Sequence, residues 1–185
     1  MSLKIDNQDE LREAQSSLFT TTSTSGWILL NYVGPSTVHM ASCGEGDVAD
    51  MTSLLEADQV QYAVVRLAVQ QGGVSDTRDV FVRWIGAGVG SVEKNKKEGF
   101  HKQAKALLQP HQAEVMVYNK EKLTKETLME RSDPQSKNNT IDVPLGSQAL
   151  EVKFHVLRLP KVQAMTVAEV NPNSEPERTV VNTVV

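Results

Sequence analysis

Two apolar runs rich in β-branched and aromatic residues limit the folds open to this chain most strongly. They are QVQYAVVRLAV (59–69) and DVFVRWI (79–85), separated by the polar, glycine-containing stretch QQGGVSDTR (70–78). Residues of these types favour extended strands, and a short polar connection lets consecutive strands pair antiparallel. The sequence therefore predicts a β-hairpin between residues 59 and 85.

A second hairpin and a helical crossover are predicted around the first hairpin. Gly34 and Pro35 form a turn signal between two strand-like runs, of which the first is apolar enough to be buried on both faces. Later in the chain, apolar residues recur with helical spacing before another strand, which a crossover helix would bring parallel to an earlier strand. These strands, the crossover helix and the last strand are WILLNYV (27–33), STVHMAS (36–42), 100–109 and EVMVYN (114–119).

Three more helices are predicted from caps and helical periodicity. Asp6 is the predicted N-cap of the first helix, which places apolar residues from Leu11 to Leu18 on one face. Asp47 is the predicted N-cap of the second helix. The second helix lies within 44–57, and a third, less regular helix lies within 120–133.

The order of these elements predicts an α+β domain that ends near residue 133. Two hairpins and one crossover strand give a mixed five-stranded sheet flanked by helices. The composition then changes, because SDPQSKNNT (132–140) is typical of a linker. Residues 134–185 are predicted to be a C-terminal extension, partly disordered, in which EVKFHVLRL (151–159) forms one more strand or a segment that docks on the domain.

Composition and charge exclude several classes of protein. The 185 residues carry 19 basic and 23 acidic side chains, a net charge of −4, which argues against general nucleic-acid binding. No apolar run approaches the roughly 20 residues of a membrane span, and the polar start MSLKIDNQDE does not resemble a signal peptide. The single cysteine, Cys43, allows no intrachain disulfide. We therefore expect a cytosolic protein that does not bind membranes.

The segment FVRWIGAGVGSVEKNKK (81–97) raises the question of a phosphate site, because a strand runs into a glycine-rich loop and then into lysines. Gly86 and Gly88 fit the start of a dinucleotide fingerprint, but Ser91 stands where its third glycine belongs. SVEKNKKEG has no apolar face and contains Gly99, so no helix is expected to begin at the loop. The favoured interpretation is that the glycines serve a tight turn. No cofactor is expected.

The sequence contains no arrangement that is typical of an active site. Cys43 has no evident activating partner, and no G-x-S-x-G nucleophile elbow occurs. The histidines lack metal-ligand spacing. They are His39, His101, His111 and His155. We expect a protein that is not an enzyme.

Basic residues gather late in the predicted domain. Arg78 ends the connection of the first hairpin, and five lysines follow within 94–105. These are Lys94, Lys96, Lys97, Lys102 and Lys105. They either form an ordinary solvated helix face or a positive patch that attracts an acidic protein surface. Charge alone favours the solvated face.

Three short motifs resemble the coactosin family, which belongs to the actin-depolymerising-factor homology (ADF/cofilin) proteins. They are KID (4–6), YAVVRLAV (62–69) and FVRWIG (81–86), the last followed by a loop with glycines and lysines. The resemblance covers residues 1–133 and implies an ADF-homology or gelsolin-like fold. It also implies non-enzymatic binding to the sides of actin filaments through a basic face, in the cytoplasmic cytoskeleton.

The resemblance assigns roles to the basic residues one by one. Arg78 stands where the family has an important basic residue, a lysine in coactosins. Its loop lysines correspond to Lys94, Lys96 and Lys97. Lys102 and Lys105 match the long helix that faces actin in the family. All six are therefore predicted actin contacts.

Other functions stay open at this stage. Within the family, the alternative is cofilin-like binding to actin monomers or severing of filaments. A nucleotide-dependent enzyme is a further alternative, and so is an adaptor that acts mainly through residues 134–185. The terminal TVV (183–185) has the form of a PDZ-domain ligand, although such triplets also arise by chance.

Overall fold

A seven-stranded mixed sheet runs through the part of the chain that this computed structural model describes, which is residues 2–20, 22–71 and 73–142. Its spatial order is β1-β3-β2-β4-β5-β6-β7. The pairs β1–β3, β5–β6 and β6–β7 are parallel, and the others are antiparallel. The strands are β1 (Lys4–Ile5), β2 (Gly26–Tyr32), β3 (Thr37–Gly44), β4 (Val60–Gln71), β5 (Val74–Ile85), β6 (Ala113–Val117) and β7 (Thr140–Ile141).

Helices cover both faces of the sheet. They are α1 (Gln8–Leu18), α2 (Val48–Ser53), α3 (Ser91–Glu98), α4 (His101–Leu107) and α5 (Lys125–Arg131), with a short 3-10 helix at Lys120–Lys122. Leu11 of α1 and Ala104 of α4 pack in one apolar cluster, whereas Met51 of α2 and Leu128 of α5 pack in the other. The sheet therefore lies between two separate cores.

The central strands supply both cores because their side chains alternate between the two faces. Tyr62 and Val64 of β4 point into the cluster with α1 and α4, and Ala63 and Val65 point into the cluster with α2 and α5. All four side chains are buried. A strand covered on both faces needs a nearly continuous apolar sequence, which explains the apolar run at 59–69.

The predicted hairpins and the parallel crossover strand are confirmed. β2 pairs antiparallel with β3, β4 pairs antiparallel with β5, and β6 lies parallel beside β5. Asp47 is confirmed as the N-cap of α2, since its carboxylate accepts the Val48 amide at 2.7 Å. The crossover helix is α4.

The prediction that residues 70–78 form the connection between the two strands is wrong. β4 and β5 continue to Gln71 and Val74, and the turn lies between them, with Gly73 at a φ of +83°. The end of this hairpin is polar because it extends beyond its neighbours: β2 pairs with β4 only as far as Arg66, and β6 joins β5 only from Val80. No third strand among the described residues covers the two projecting arms.

Several boundaries also differ from the prediction. The first helix has Asn7, not Asp6, at its N-cap, and the Asn7 amide group instead bonds the backbone of Met40 at 2.7 and 3.1 Å. The last helix divides into the 3-10 turn and α5. The five predicted strands are present, and β1 and β7 add two short edge strands. β7 lies partly within the predicted linker, while the predicted strand at 151–159 and the rest of the extension lie outside the described residues.

A helix does begin at the glycine loop, contrary to the sequence prediction, because α3 starts at Ser91. The loop itself packs backbone to backbone against the segment before β4. The Gly86 amide donates to Gln59 O at 3.0 Å, and the Gly88 amide donates to Ala57 O at 2.7 Å. These two amides therefore bind protein carbonyls. The glycines allow a close approach of two loops, in agreement with the favoured interpretation.

Gly86→Ala should destabilise the protein, whereas Gly90→Ala should not. A Cβ at residue 86 would lie 2.2 Å from Ala57 O, while one at residue 90 would meet nothing within 4 Å. Forcing two backbones apart costs at least about 1–3 kcal/mol, and the control should stay within roughly 0.5 kcal/mol. Urea denaturation measures both free energies of unfolding. Equal stabilities of the two variants would contradict the close approach.

Candidate functional site

The six predicted contact residues divide between the two faces of the sheet. The five lysines lie on α3 and α4, on the face that also carries α1. Arg78 lies on β5 and shares the side-chain direction of Val80 and Val82, which pack in the cluster with α2 and α5. The structure thus places the lysines on one face of the sheet and Arg78 on the opposite face.

The lysines occupy two consecutive helices rather than one long helix. α3 ends at Glu98, Gly99 stands at its C-cap, and α4 begins at His101. Phe100 lies between the helices with 5% of its surface exposed, so the connection is anchored in the core. The long helix that the resemblance implies is interrupted here.

Three of the lysines carry charges that no acidic side chain of the described residues neutralises. Lys96 and Lys102 are exposed, and Lys94 is half-buried at the edge of a groove lined also by Gly86 and Tyr118. Lys94 and Lys96 flank the solvent side of α3, and Lys102 lies on the solvent side of α4. We call Lys94, Lys96 and Lys102 the lysine surface.

Val92 is a feature of this surface that the sequence prediction missed. Its side chain is 67% exposed, and it lies one helical turn before Lys96 on the outer side of α3. The signal in the sequence was the lack of an apolar face in SVEKNKKEG, because a helix formed by this segment leaves its single valine uncovered. An exposed apolar side chain next to a cation can contribute to a protein interface.

Lys105 is partly neutralised by an acid on the sheet. Its Nζ lies 2.6 Å from Glu114 Oε2 of β6, and His101 Nε2 lies 2.6 Å from the other oxygen of the same carboxylate. The hydrogen bond from His101, together with Lys105, lowers the pKa of Glu114 to about 2, against the opposing effect of burial. Lys105 therefore contributes less free charge than the lysine surface.

Lys97 differs from the other predicted contact residues, because its side chain does not point outward. Only 5% of its side chain is exposed. Its Nζ donates to Pro35 O at 2.9 Å and to Gly34 O at 3.3 Å, in the turn between β2 and β3. Lys97 is an internal residue that binds α3 to this turn.

Arg78 is half-buried and contacts the end of α5. Its Nη1 donates to Met129 O and to Ser132 Oγ, both at 3.3 Å. Carbonyls in the last turn of a helix lack intrahelical partners, and a cation there is favourable. Arg78 thus holds α5 against the sheet, and part of its guanidinium stays accessible.

Two other kinds of site find no support in the described residues. No helix there has both the length and the apolar character needed to cross a membrane. The same residues contain no group of three or more His, Cys, Asp and Glu side chains that is suited to a metal ion.

The model of the cofilin/tropomyosin-type actin-binding proteins matches residues 4–133, which is most of the chain. The protein belongs to this family. The drebrin-like proteins of Mus musculus and Rattus norvegicus are relatives, each 32% identical over 89 residues. The match covers 48% of this chain but only 20% of those relatives. The family resemblance inferred from the sequence is confirmed.

Solved structures of the family share the fold of this chain at low sequence identity. Human coactosin-like protein is 20% identical with a TM-score of 0.60, over 69% of this chain and 95% of that one. Mouse coactosin, described as an actin filament binding protein, is 19% identical with a TM-score of 0.60 over 75% and 96%. Streptomyces griseoflavus cofilin is 14% identical with a TM-score of 0.58 over 71% and 100%. At these identities, the likeness establishes the ADF/cofilin fold alone.

Acid should destabilise the wild-type protein partly through Glu114. Because the folded-state pKa of about 2 lies below the ordinary 4.5, the carboxylate stabilises the fold fully above pH 4.5. This contribution is lost as the pH falls from 4.5 towards 2. The free energy of unfolding, measured by chemical denaturation at several pH values in this range, should therefore decrease less steeply with falling pH for Glu114→Gln than for the wild type. The exposed Glu121→Gln is the control, and a fall as shallow as that of Glu114→Gln would contradict the assignment.

Arg78→Ala should weaken the attachment of α5 to the sheet and lower the free energy of unfolding of the protein without any partner present. The change removes two hydrogen bonds from a charged donor, which corresponds to a loss of about 1.5–3 kcal/mol in the free energy of unfolding. Arg12→Ala removes only an exposed pair with Asp9 and should cost less than about 1 kcal/mol. Chemical denaturation compares the two. Equal effects would mean that Arg78 has no structural role.

Proposed function

We propose that this protein binds actin filaments in the manner of the coactosins, through the lysine surface and without catalysing a reaction. The observation that supports this best is the set of uncompensated lysines on adjacent helices in a chain of net charge −4. Such a local concentration of one sign steers association with an acidic surface. The proposed location is the cytoplasmic cytoskeleton.

The apolar content of the surface supports a protein partner rather than a purely ionic one. Val92 offers a side chain that binding would remove from water, and Lys96 lies one helical turn from it on the same side of α3. Partly buried charges at the rim of an interface mainly affect the association rate and its salt dependence.

The position of Arg78 favours filaments over monomers as the partner. Arg78 and the lysine surface lie on opposite faces of the sheet, so both cannot face one flat patch on a single actin molecule. A polymer presents more than one subunit to the same ligand. We therefore propose the lysine surface as the main contact and Arg78 as part of a second contact, with Lys105 in a supporting role.

Co-sedimentation with filaments tests the main contact. The double variant Lys96→Ala, Lys102→Ala should bind roughly tenfold more weakly at low salt, which corresponds to about 1.4 kcal/mol. Rising salt should weaken wild-type binding more than that of the variant, because the variant has fewer charges to screen. The matched control is Lys137→Ala, which removes an exposed lysine of the segment between α5 and β7.

Three results, two from co-sedimentation and one from a deletion variant, would contradict filament binding or favour an alternative function. Wild-type protein that stays in the supernatant at low salt would overturn filament binding. Filaments that shorten on addition would favour a cofilin-like severing protein. If a partner is lost on deletion of residues 143–185 while pelleting is unchanged, the extension acts as an adaptor, with a PDZ domain as one candidate for its end. This deletion leaves β7 in the sheet, whereas a cut at residue 133 would remove it.

A further inference from the structure

Helix α3 docks on the sheet without an apolar face. Its sequence is SVEKNKKE, and its one buried side chain is that of Lys97. Val92, its only large apolar residue, points into solvent. Surface helices ordinarily bury an apolar stripe, and the burial of that stripe supplies most of their stability. α3 lacks this contribution.

Neither end of α3 has a capping side chain. Gly90 stands at the N-cap and offers no side chain to bond the first amides, and Gly99 stands at the C-cap. The neighbouring α4, by contrast, is held by Phe100, Ala104 and Leu108, all of which are buried in the core. The polar contacts of α3 must therefore hold it in place.

Lys97 makes a complete set of such contacts. Besides the carbonyls of Gly34 and Pro35, its Nζ lies 3.3 Å from Glu93 Oε1 and 3.4 Å from the centre of the Tyr32 ring. Burial raises the pKa of the Tyr32 hydroxyl, so the ring stays an uncharged phenol under the ammonium. A buried ammonium is tolerated when hydrogen bonds, a carboxylate and an aromatic face replace its water.

Two further polar contacts join the same end of α3 to the sheet. Glu98 Oε2 lies 2.6 Å from Nη2 of Arg83, whose side chain is 2% exposed. The Tyr62 hydroxyl donates to the carbonyl of Lys97 at 3.3 Å. The polar contacts with the sheet and the turn thus gather at the C-terminal end of the helix, where Lys97 lies.

We propose that Lys97 is a positioning residue, which fixes α3 to the turn between β2 and β3 and thereby sets how Lys94 and Lys96 are presented. Without its ammonium, α3 opens as a unit while the sheet and α4 stay closed. The presentation of the lysines rests on the proposed function. The attachment of α3 does not, because it concerns the protein alone.

Hydrogen exchange on the full chain without actin tests the attachment. Lys97→Met keeps an unbranched apolar stem and removes the charge. The amides of residues 94–98 should exchange at least tenfold faster than in the wild type, because several hydrogen bonds from a charged group are lost. The amides of β4 should be unchanged. Lys96→Met, one residue away and exposed, is the matched control and should leave both sets unchanged.

A second variant keeps the test decisive if Lys97→Met disturbs the whole fold. Glu93→Gln removes only the half-exposed carboxylate next to the ammonium and should speed the same amides about twofold. Exchange of residues 94–98 at wild-type rates in either correctly folded variant would overturn the proposal. Faster exchange that extends through β4 in Glu93→Gln would also overturn it, because α3 would then not open as a separate unit.

The salt dependence of filament binding separates positioning from direct contact. Lys97→Met should weaken pelleting severalfold and leave the dependence on salt as in the wild type, because no contacting charge is lost. Lys96→Met should reduce that dependence. An equal reduction in Lys97→Met would make Lys97 a direct contact and overturn its positioning role. If the wild type does not pellet, the proposed function fails, while the exchange data still decide whether Lys97 fixes α3.

Discussion

The antiparallel pairing of β4 with β5 supports every other part of this molecule. It runs without a break from Val60 opposite Ile85 to Gln71 opposite Val74. The two strands divide the protein into two cores and carry β2 on one side and β6 on the other. Arg66 and Asp79 face each other across the pair in a buried, two-pronged ion pair of 2.7 and 2.9 Å. Helices, loops and the lysine surface are all placed relative to this hairpin.

Helical phase separates two neighbouring lysines into different roles. Lys96 and Lys97 are adjacent in sequence, but a step of about 100° around α3 puts one in solvent and the other against Tyr32. The same chemical group can thus meet a partner at one position and hold the helix at the next. The net charge of the chain says nothing of this division.

Local patterns predicted the hairpins, the crossover and the family, because alternation and turn residues lie within a few positions of each other. The role of Lys97 was not predictable in this way, since its partners at Gly34 and Pro35 lie about sixty residues away. The start of α3 was missed for a different reason, because the helix has no apolar stripe and hydrophobic periodicity cannot reveal it. β7 consists of two residues and has no periodicity to detect. The division of the basic residues between two faces likewise follows from strand alternation only once the register is known.

The projecting arms of the β4–β5 hairpin have a consequence for solubility. Unpaired strand edges invite pairing with a second chain, and long apolar edges lead to aggregation. Here the arms carry Gln70, Ser75, Asp76 and Thr77, whose polar side chains make such edge-to-edge association unfavourable. Valines at these four positions would raise the strand propensity of the arms and remove this protection against edge-to-edge association.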